Sequence, residues 1–386
     1  MNTTTENTKK KEVTILLSFI SLMAFSAITP AMNTFFNAWP SVPMTTIYLI
    51  FSLPLLTMAP VTIITGKIAG KSVSFKSLAI LGNFMVVIFG CAPAVFSESI
   101  TGILICRALF GIGLGIITPI GNTLALRSLD EERSNKVLGY GTLVMNVASI
   151  ILQQLSGILC GIRWNLTFWC FAIGILPLIG SFFITEPAAL AVEETTTKQK
   201  LPGSIWLLAT TLLLLNTANL ALMVNVSILF ANKGIDNPVQ SALALSFFGI
   251  GGCTAGLVFG KCYSRLKGFL LSFSILLCVV GQLLLLFGPG ILIMSVGTFC
   301  TGFGFSTLHT GIYAYVNLCA DKTVVPFAIS IVMTFLNISG FISTYYLATI
   351  ERIFGNSLYT SYYIAIAIYL VLAFIYLFYH PKKKAS

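Results

Sequence analysis

Arg107-Ala-Leu-Phe110-Gly111-Ile-Gly113-Leu-Gly115 lies in the middle of a long apolar segment. Arg107 is the one cation well inside lipid-length hydrophobic sequence. A charge there costs about 2.5–3.5 kcal/mol on insertion scales, so it must face protein or water. Gly111, Gly113 and Gly115 strip side-chain bulk from the same helix, which lets another backbone come close. A buried positive charge beside a smooth glycine surface points to moving parts around a polar cavity.

The surrounding composition agrees with that reading. The chain has 386 residues, 56% hydrophobic and 9% charged, with a mean hydropathy of +0.94, whereas soluble domains carry about 25% charged residues. It is an integral membrane protein. The net charge of +10 sits in short connectors between apolar segments, as in cytoplasmic loops, so no nucleic-acid partner is expected. The nine cysteines lie in or beside apolar stretches, without CxxC pairs or metal-ligand spacing, and read as packing residues. No metal or cofactor is expected. The polar N-terminus through Lys9-Lys10-Lys11 runs into an apolar stretch too long for a signal peptide, so that stretch reads as a first transmembrane helix.

A helix needs about 20 apolar residues to cross the hydrocarbon core. Twelve stretches qualify: Val13–Phe36, Met44–Thr65, Ser77–Phe96, Ile100–Leu126, Val137–Leu159 and Asn165–Thr185, then Ser204–Ala231, Val239–Gly260, Phe269–Phe287, Ile291–Leu318, Val324–Ile350 and Ser357–Tyr379. Between the two sets of six, Glu186 to Pro202 is too polar to span a membrane or build a core, and reads as a solvated connector. The expected fold is thus all-α and multi-pass in the cytoplasmic (plasma) membrane. It comprises an N-terminal six-helix bundle (1–185), a cytoplasmic linker (186–202) and a C-terminal six-helix bundle (203–386). With the N-terminus inside, all of the 22 Lys and Arg except Arg107, Arg163, Lys233 and Arg352 fall on the cytoplasmic side. The positive-inside rule then places both termini in the cytoplasm.

The halves echo each other. Gly111-x-Gly113-x-Gly115 returns 191 residues later as Gly302-x-Gly304-x-Ser306, which aligns Arg107 with Thr298. Gly66-Lys67 after the second segment matches Gly260-Lys261 after the eighth. Two six-helix halves in one orientation imply a parallel repeat.

On these residues the chain resembles the major facilitator superfamily of secondary transporters along essentially its whole length. The connector Gly66-Lys67-Ile-Ala-Gly70-Lys71-Ser-Val73-Ser-Phe-Lys76 is similar to the family's G-x-x-x-D-R-x-G-R-K loop, with Gly70 in place of the acid and Val73 in place of the second glycine. Gly260-Lys261 through Arg265 and Lys267 keeps the glycine and basic positions, again without the acid. Arg107 to Gly113 resembles the fourth-helix R-x-x-Q-G-x-G pattern, with Phe110 for the glutamine, and Arg163-Trp164 resembles a W-R-W pair. The resemblance implies two bundles that rock about a central site, with the first, fourth, seventh and tenth helices lining it. In the family the loop acid belongs to a cytoplasmic latch; Gly70 implies that this latch is weakened or built otherwise. The fifth segment lacks the G-P-x-x-G-G run of proton antiporters.

The candidate residues follow. Arg107 reads as a cavity charge for an anionic substrate or for tuning a proton carrier, or as an arginine bonded to helix-end carbonyls. Its partner is the substrate, an amide network, or Glu98 reaching in from the outer mouth. Asn216 and Asn219 on the seventh segment, Asn33 on the first and Gln153 on the fifth are candidate substrate contacts; the alternative for each is an interhelical hydrogen bond. Glu98 and His309 are the candidate proton carriers, His309 because imidazole titrates near neutral pH. Gly111, Gly113, Gly115, Gly302 and Gly304 serve gating or tight packing.

No segment interior carries Asp or Glu, which argues against cationic cargo and for a neutral or anionic solute. No G-x-x-x-x-G-K-[ST] loop is present, so the energy must come from a gradient. Asp130-Glu131-Glu132-Arg133, the richest acidic cluster, reads as a helix-capping connector and not as an enzyme site. The expected protein is a monomeric secondary transporter of a small solute, with a co-transported ion or proton as its further partner. An efflux pump for lipophilic drugs on the same fold is the alternative; a membrane enzyme or a channel is the remoter one.

Overall fold

The computed structural model describes residues 2–70, 72–96, 98–187, 201–235, 237–320, 325–355 and 358–379. The chain forms two compact units, Met1–Glu193 and Glu194–Ser386. The first holds α1 (Asn2–Ser18), α2 (Met32–Ala38), α3 (Met44–Ile68), α4 (Phe75–Cys91), α5 (Ile100–Ser128), α6 (Glu131–Ile162) and α7 (Ile175–Ser181). The second holds α8 (Gly203–Asn232), α9 (Pro238–Leu266), α10 (Leu270–Phe287), α11 (Gly290–Cys319), α12 (Val325–Phe354) and α13 (Leu358–Phe378). Short polar side chains cap the starts as their positions suggest. Ser74, Ser99, Asp130 and Asn237 each accept a backbone N–H in the first turn of α4, α5, α6 and α9. Asp130 thus does what was expected of its cluster.

Among the described residues, ten helical stretches are long and apolar enough to cross a bilayer. One of them, Pro238–Phe287, runs for 50 residues and is two spans. α9 and α10 part at Lys267, whose φ of 43° is left-handed, and α11 runs parallel to α9 but antiparallel to α10. The first expected segment is missing from the ten because it is no continuous helix. It breaks into α1, a 3-10 turn at Ala24–Ala31 that contains Pro30, and α2. With that segment added and Pro238–Phe287 divided, the ten become the twelve expected.

In each unit one helix is wedged between two others. α5 packs most extensively on α3 and α4, and α11 on α9 and α10. The glycines make this possible. A Cβ on Gly111 would lie 2.5 Å from Pro54 Cα on α3, and one on Gly113 would lie 2.8 Å from the Gly82 carbonyl on α4. In the second unit a Cβ on Gly302 would lie 2.7 Å from the Phe248 carbonyl carbon, and one on Gly304 2.6 Å from the Ser274 carbonyl oxygen. Real Cβ atoms do not tolerate such distances to backbone. Gly115 belongs to the same surface, facing the Met58 carbonyl at 2.7 Å. These glycines therefore let each helix seat closely against its neighbours inside its own unit.

Two further ties in the second unit have no counterpart among the sequence expectations. Tyr362, Tyr369 and Tyr376, seven residues apart on α13, are buried and reach α8 at the Leu222 carbonyl (3.3 Å), the Leu215 carbonyl (3.0 Å) and the Thr211 hydroxyl (2.9 Å). Lys233, just past α8, donates to the carbonyls of Leu285, Leu286 and Gly288 at 3.0, 2.6 and 3.1 Å. Its ammonium thereby satisfies the open carbonyls at the end of α10 and complements that helix's dipole.

Gly302→Ala should therefore lower the apparent melting temperature of the purified protein, because overpacking of this kind costs about 1–3 kcal/mol. Gly256→Ala, where a Cβ meets nothing within 4 Å, should leave it unchanged or raise it slightly. Equal melting temperatures for the two variants would contradict this packing.

Candidate functional site

Arg107 is fully buried at 0% exposure. Its Nε donates to the Ile50 carbonyl on α3 at 2.9 Å, and its guanidinium carbon lies 4.3 Å from the Phe110 ring centroid and 5.2 Å from that of Phe171. Phe110 stands one turn along α5, where i and i+3 side chains meet. Phe171 comes from the 3-10 segment Trp164–Gly174, and the two rings are 4.8 Å apart. Nη1 and Nη2 make no hydrogen bond among the described residues.

Among the described residues, neither an amide nor Glu98 bonds to the guanidinium. Glu98 is exposed in the turn before α5, about 12 Å along the helix axis from Arg107. What the unit supplies is one carbonyl and two aromatic faces. A desolvated cation–π contact is worth about 2 kcal/mol, while burying an ion costs several kcal/mol. The guanidinium is held in place but its charge is not matched.

The second unit repeats this arrangement without the charge. Thr298, the position aligned with Arg107, donates its hydroxyl to the Ala244 carbonyl at 2.6 Å. Ala244 stands to Ile50 as Phe248 stands to Pro54, 194 residues on in both cases. The same interhelical hydrogen bond thus occurs in both units one turn before the same glycine contact. A repeat that was faint in sequence is sharp at this point.

The amides are more widely engaged than expected. Asn216 donates to the Ser339 hydroxyl at 2.6 Å and to the Leu336 carbonyl at 3.3 Å, tying α8 to α12. Asn219 is buried, and its Oδ1 has no partner among the described residues. Gln153 donates to Ser149 at 3.1 Å and Ser26 at 3.4 Å while its buried Oε1 is left over. Asn33 is half-buried on α2. His309 on α11 faces the Tyr313 hydroxyl at 3.1 Å, stacks near Phe305, and through Tyr313 reaches Met333 Sδ at 3.0 Å. Gln153 and Asn33 share the first unit with Arg107, whereas Asn216, Asn219 and His309 belong to the second. Asn83 was missed altogether. Fully buried on α4, it accepts from Ser21 and donates to Ser181, both at 3.1 Å, joining three segments of the first unit. A lone Asn in an apolar run was its only signal.

The loop motif starts on helix. Gly66 and Lys67 lie in the last turn of α3, and Gly260, Lys261 and Arg265 still lie within α9, with Lys67, Lys261 and Arg265 exposed and Lys76 half-buried. Lys71 lies outside the described residues. Gly70 explains the departure from the family pattern. Its φ is 71°, and a Cβ would press on the Phe75 ring and stand 3.2 Å from an Arg127 nitrogen. Arg127 itself lies over Phe75, 5.6 Å from the ring centroid. A carboxylate from farther along the chain reaches the same corner: Glu186 accepts the N–H groups of Phe75 and Lys76 at 3.2 and 2.8 Å, capping α4.

Gly70→Asp, which would restore the family's acid, should destabilise the protein, since the backbone conformation and the space both oppose a side chain. Thermal unfolding of the purified variant tests this; an unchanged or raised melting temperature would contradict it.

The sequence pattern of the Major Facilitator Superfamily matches residues 14–344 and 238–386. Among curated relatives, the multidrug resistance protein MdtL of Escherichia coli O157:H7 (strain EC4115 / EHEC) is 32% identical over 155 residues, 38% of this chain and 39% of that protein. MdtL of Shigella dysenteriae serotype 1 (strain Sd197) matches to the same extent. The matched region thus spans well under half the length of these relatives. Two crystal structures share the fold across nearly the whole chain. The nucleoside transporter NupG has a TM-score of 0.74 at 13% identity, over 95% of this chain and 99% of its own. A D-xylose-proton symporter has a TM-score of 0.76 at 12% identity, over 97% and 98%. With its paired wedge helices and its Arg107 motif, the chain belongs to the major facilitator superfamily.

Proposed function

We propose that this protein is a secondary transporter that moves a small neutral or anionic organic solute across the cytoplasmic membrane by alternating access. The observation that carries this reading is the buried Arg107, held by one carbonyl and two rings with two nitrogens unmatched, in a family member whose spans have no acidic residue in their interior. A cation of that kind favours an anion or an electron-rich neutral group and repels cationic cargo. Substrate binding shifts the inward–outward balance by its differential affinity for the two states. Asn216, Asn219, Asn33 and Gln153 are the further contacts proposed, the leftover oxygens of Asn219 and Gln153 being acceptors for substrate donors. Glu98 and His309 are the candidate carriers if a proton is coupled. The distribution of Lys and Arg supports cytoplasmic termini.

Export of lipophilic compounds is the second reading. It is favoured by the partial similarity to a multidrug resistance protein.

Uptake by proteoliposomes that contain the purified protein tests the function directly. A solute gradient or a proton gradient should drive accumulation of an organic anion or neutral solute, with no requirement for ATP. A pore-like conductance without substrate-dependent uptake would contradict the transporter reading. Arg107→Ala should abolish uptake while the protein remains in the membrane, and Arg107→Lys should restore it only in part, because an ammonium lacks the planar fork of donors. Normal kinetics in the alanine variant would remove Arg107 from the site.

A further inference from the structure

Phe171 borders two features at once. Its ring lies on the Arg107 guanidinium, 5.2 Å from carbon to centroid. It also lines a cavity of about 10 Å³ together with Ser21, Ala24, Val86 and Gly174, room for about one water. Behind it, a fully buried guanidinium has both terminal nitrogens unbonded among the described residues. The ring is firmly seated. Phe110 stands 4.8 Å away, and Gly90 makes room at its back, where a Cβ would fall 2.7 Å from that of Phe171.

The backbone that carries Phe171 is unusual. Trp164–Gly174 is a 3-10 helix of 11 residues, whereas runs beyond 3–4 residues are uncommon. Nothing in its sequence requires this: it has no proline, and its one glycine is the last residue. Side-chain bonds hold it instead. Asn165 donates to the Ala94 carbonyl at 2.8 Å, and the Thr167 hydroxyl meets Ser156 at its hydroxyl (2.5 Å) and its carbonyl (3.2 Å). Rewinding to an α-helix removes about 20° of turn per residue, so with α7 fixed from Ile175 the Phe171 ring swings by about 80°.

We propose that Phe171 is the lid of an anion site at Arg107, opened by rewinding of the 3-10 segment, and that the site takes a carboxylate. The inference rests on the reading of Arg107 as a substrate residue and adds the ligand class and the gate. A carboxylate matches the fork of Nη1 and Nη2 with two parallel charge-assisted hydrogen bonds. While the lid is shut, the charge is stabilised by two ring faces; once it is open, by the ligand.

Cys170, fully buried beside the lid, provides a readout that is independent of transport. In full-length protein with Cys170 as its sole cysteine, thiol modification rates are measured with an anionic sulfonatoethyl and a cationic trimethylammonioethyl methanethiosulfonate. The anionic reagent should react at least about tenfold faster, since a buried cation focuses anions, and benzoate should slow it. Phe171→Ala and Phe171→Leu should speed the anionic reaction, as should Thr167→Val, which frees the segment from Ser156. Arg107→Gln should remove both the charge preference and the benzoate protection, while Arg107→Lys should keep the preference. No charge preference, or one that survives Arg107→Gln, overturns the anion site. An anionic rate unchanged in both Phe171 variants overturns the lid, and one unchanged in Thr167→Val overturns the hinge. Any of these failures would leave proteoliposome transport untouched, so the site and the transporter reading fail separately.

Discussion

The contact between the Gly111 face of α5 and the backbone of α3 is the constraint on which the rest of the first unit depends. Only a residue without a Cβ allows α5 to approach Pro54 so closely, and only at that approach does the Arg107 Nε reach the Ile50 carbonyl at 2.9 Å. The second unit uses the same geometry with Gly302, Phe248, Thr298 and Ala244. Where Thr298 needs only one acceptor, Arg107 brings five donors and a charge. The fold has thus been built twice, and its charge placed once.

That asymmetry separates structure from function. A hydroxyl suffices to tie the wedge helix to its neighbour, so the interhelical bond does not explain why arginine stands at position 107. Two aromatic faces recover a few kcal/mol at most, against a desolvation cost of several kcal/mol. An arrangement that leaves two nitrogens unmatched costs stability, and such costs collect at functional positions. Phe171 closes this enclosure from a 3-10 segment that Asn165 and Thr167 tie to its neighbours.

Much of the fold was legible in the sequence because the bilayer imposes a length scale that composition reveals directly. The positions of the spans and the 191-residue echo follow from hydropathy and glycine spacing. One feature was not legible, for a definite reason. The first span's hydrophobicity is continuous, and Pro30 alone marks the 3-10 turn that breaks it. Pro238–Phe287, by contrast, holds the two spans that the sequence separates, joined by a turn of only three residues, Lys267–Phe269. At the site, Arg107 and its alignment with Thr298 could be read, but its partners could not. Aromatic faces and a backbone carbonyl carry no spacing signature, whereas carboxylates do, and the sequence offered Glu98 in their place. Gly70 departs visibly from the family pattern; that Glu186, more than a hundred residues on, brings a carboxylate to that corner depends on tertiary contact.

The central claim is that Arg107 is a buried cation awaiting an anion. Thermal unfolding of the purified full-length protein, with a panel of organic carboxylates each paired with its neutral primary amide, tests it most directly. Ligand at about 100 times its dissociation constant stabilises by about 2.7 kcal/mol. The account predicts that at least one carboxylate raises the melting temperature well above its amide, and that this difference disappears in Arg107→Gln. Equal shifts from carboxylate and amide, or a carboxylate shift that persists in Arg107→Gln, would contradict it.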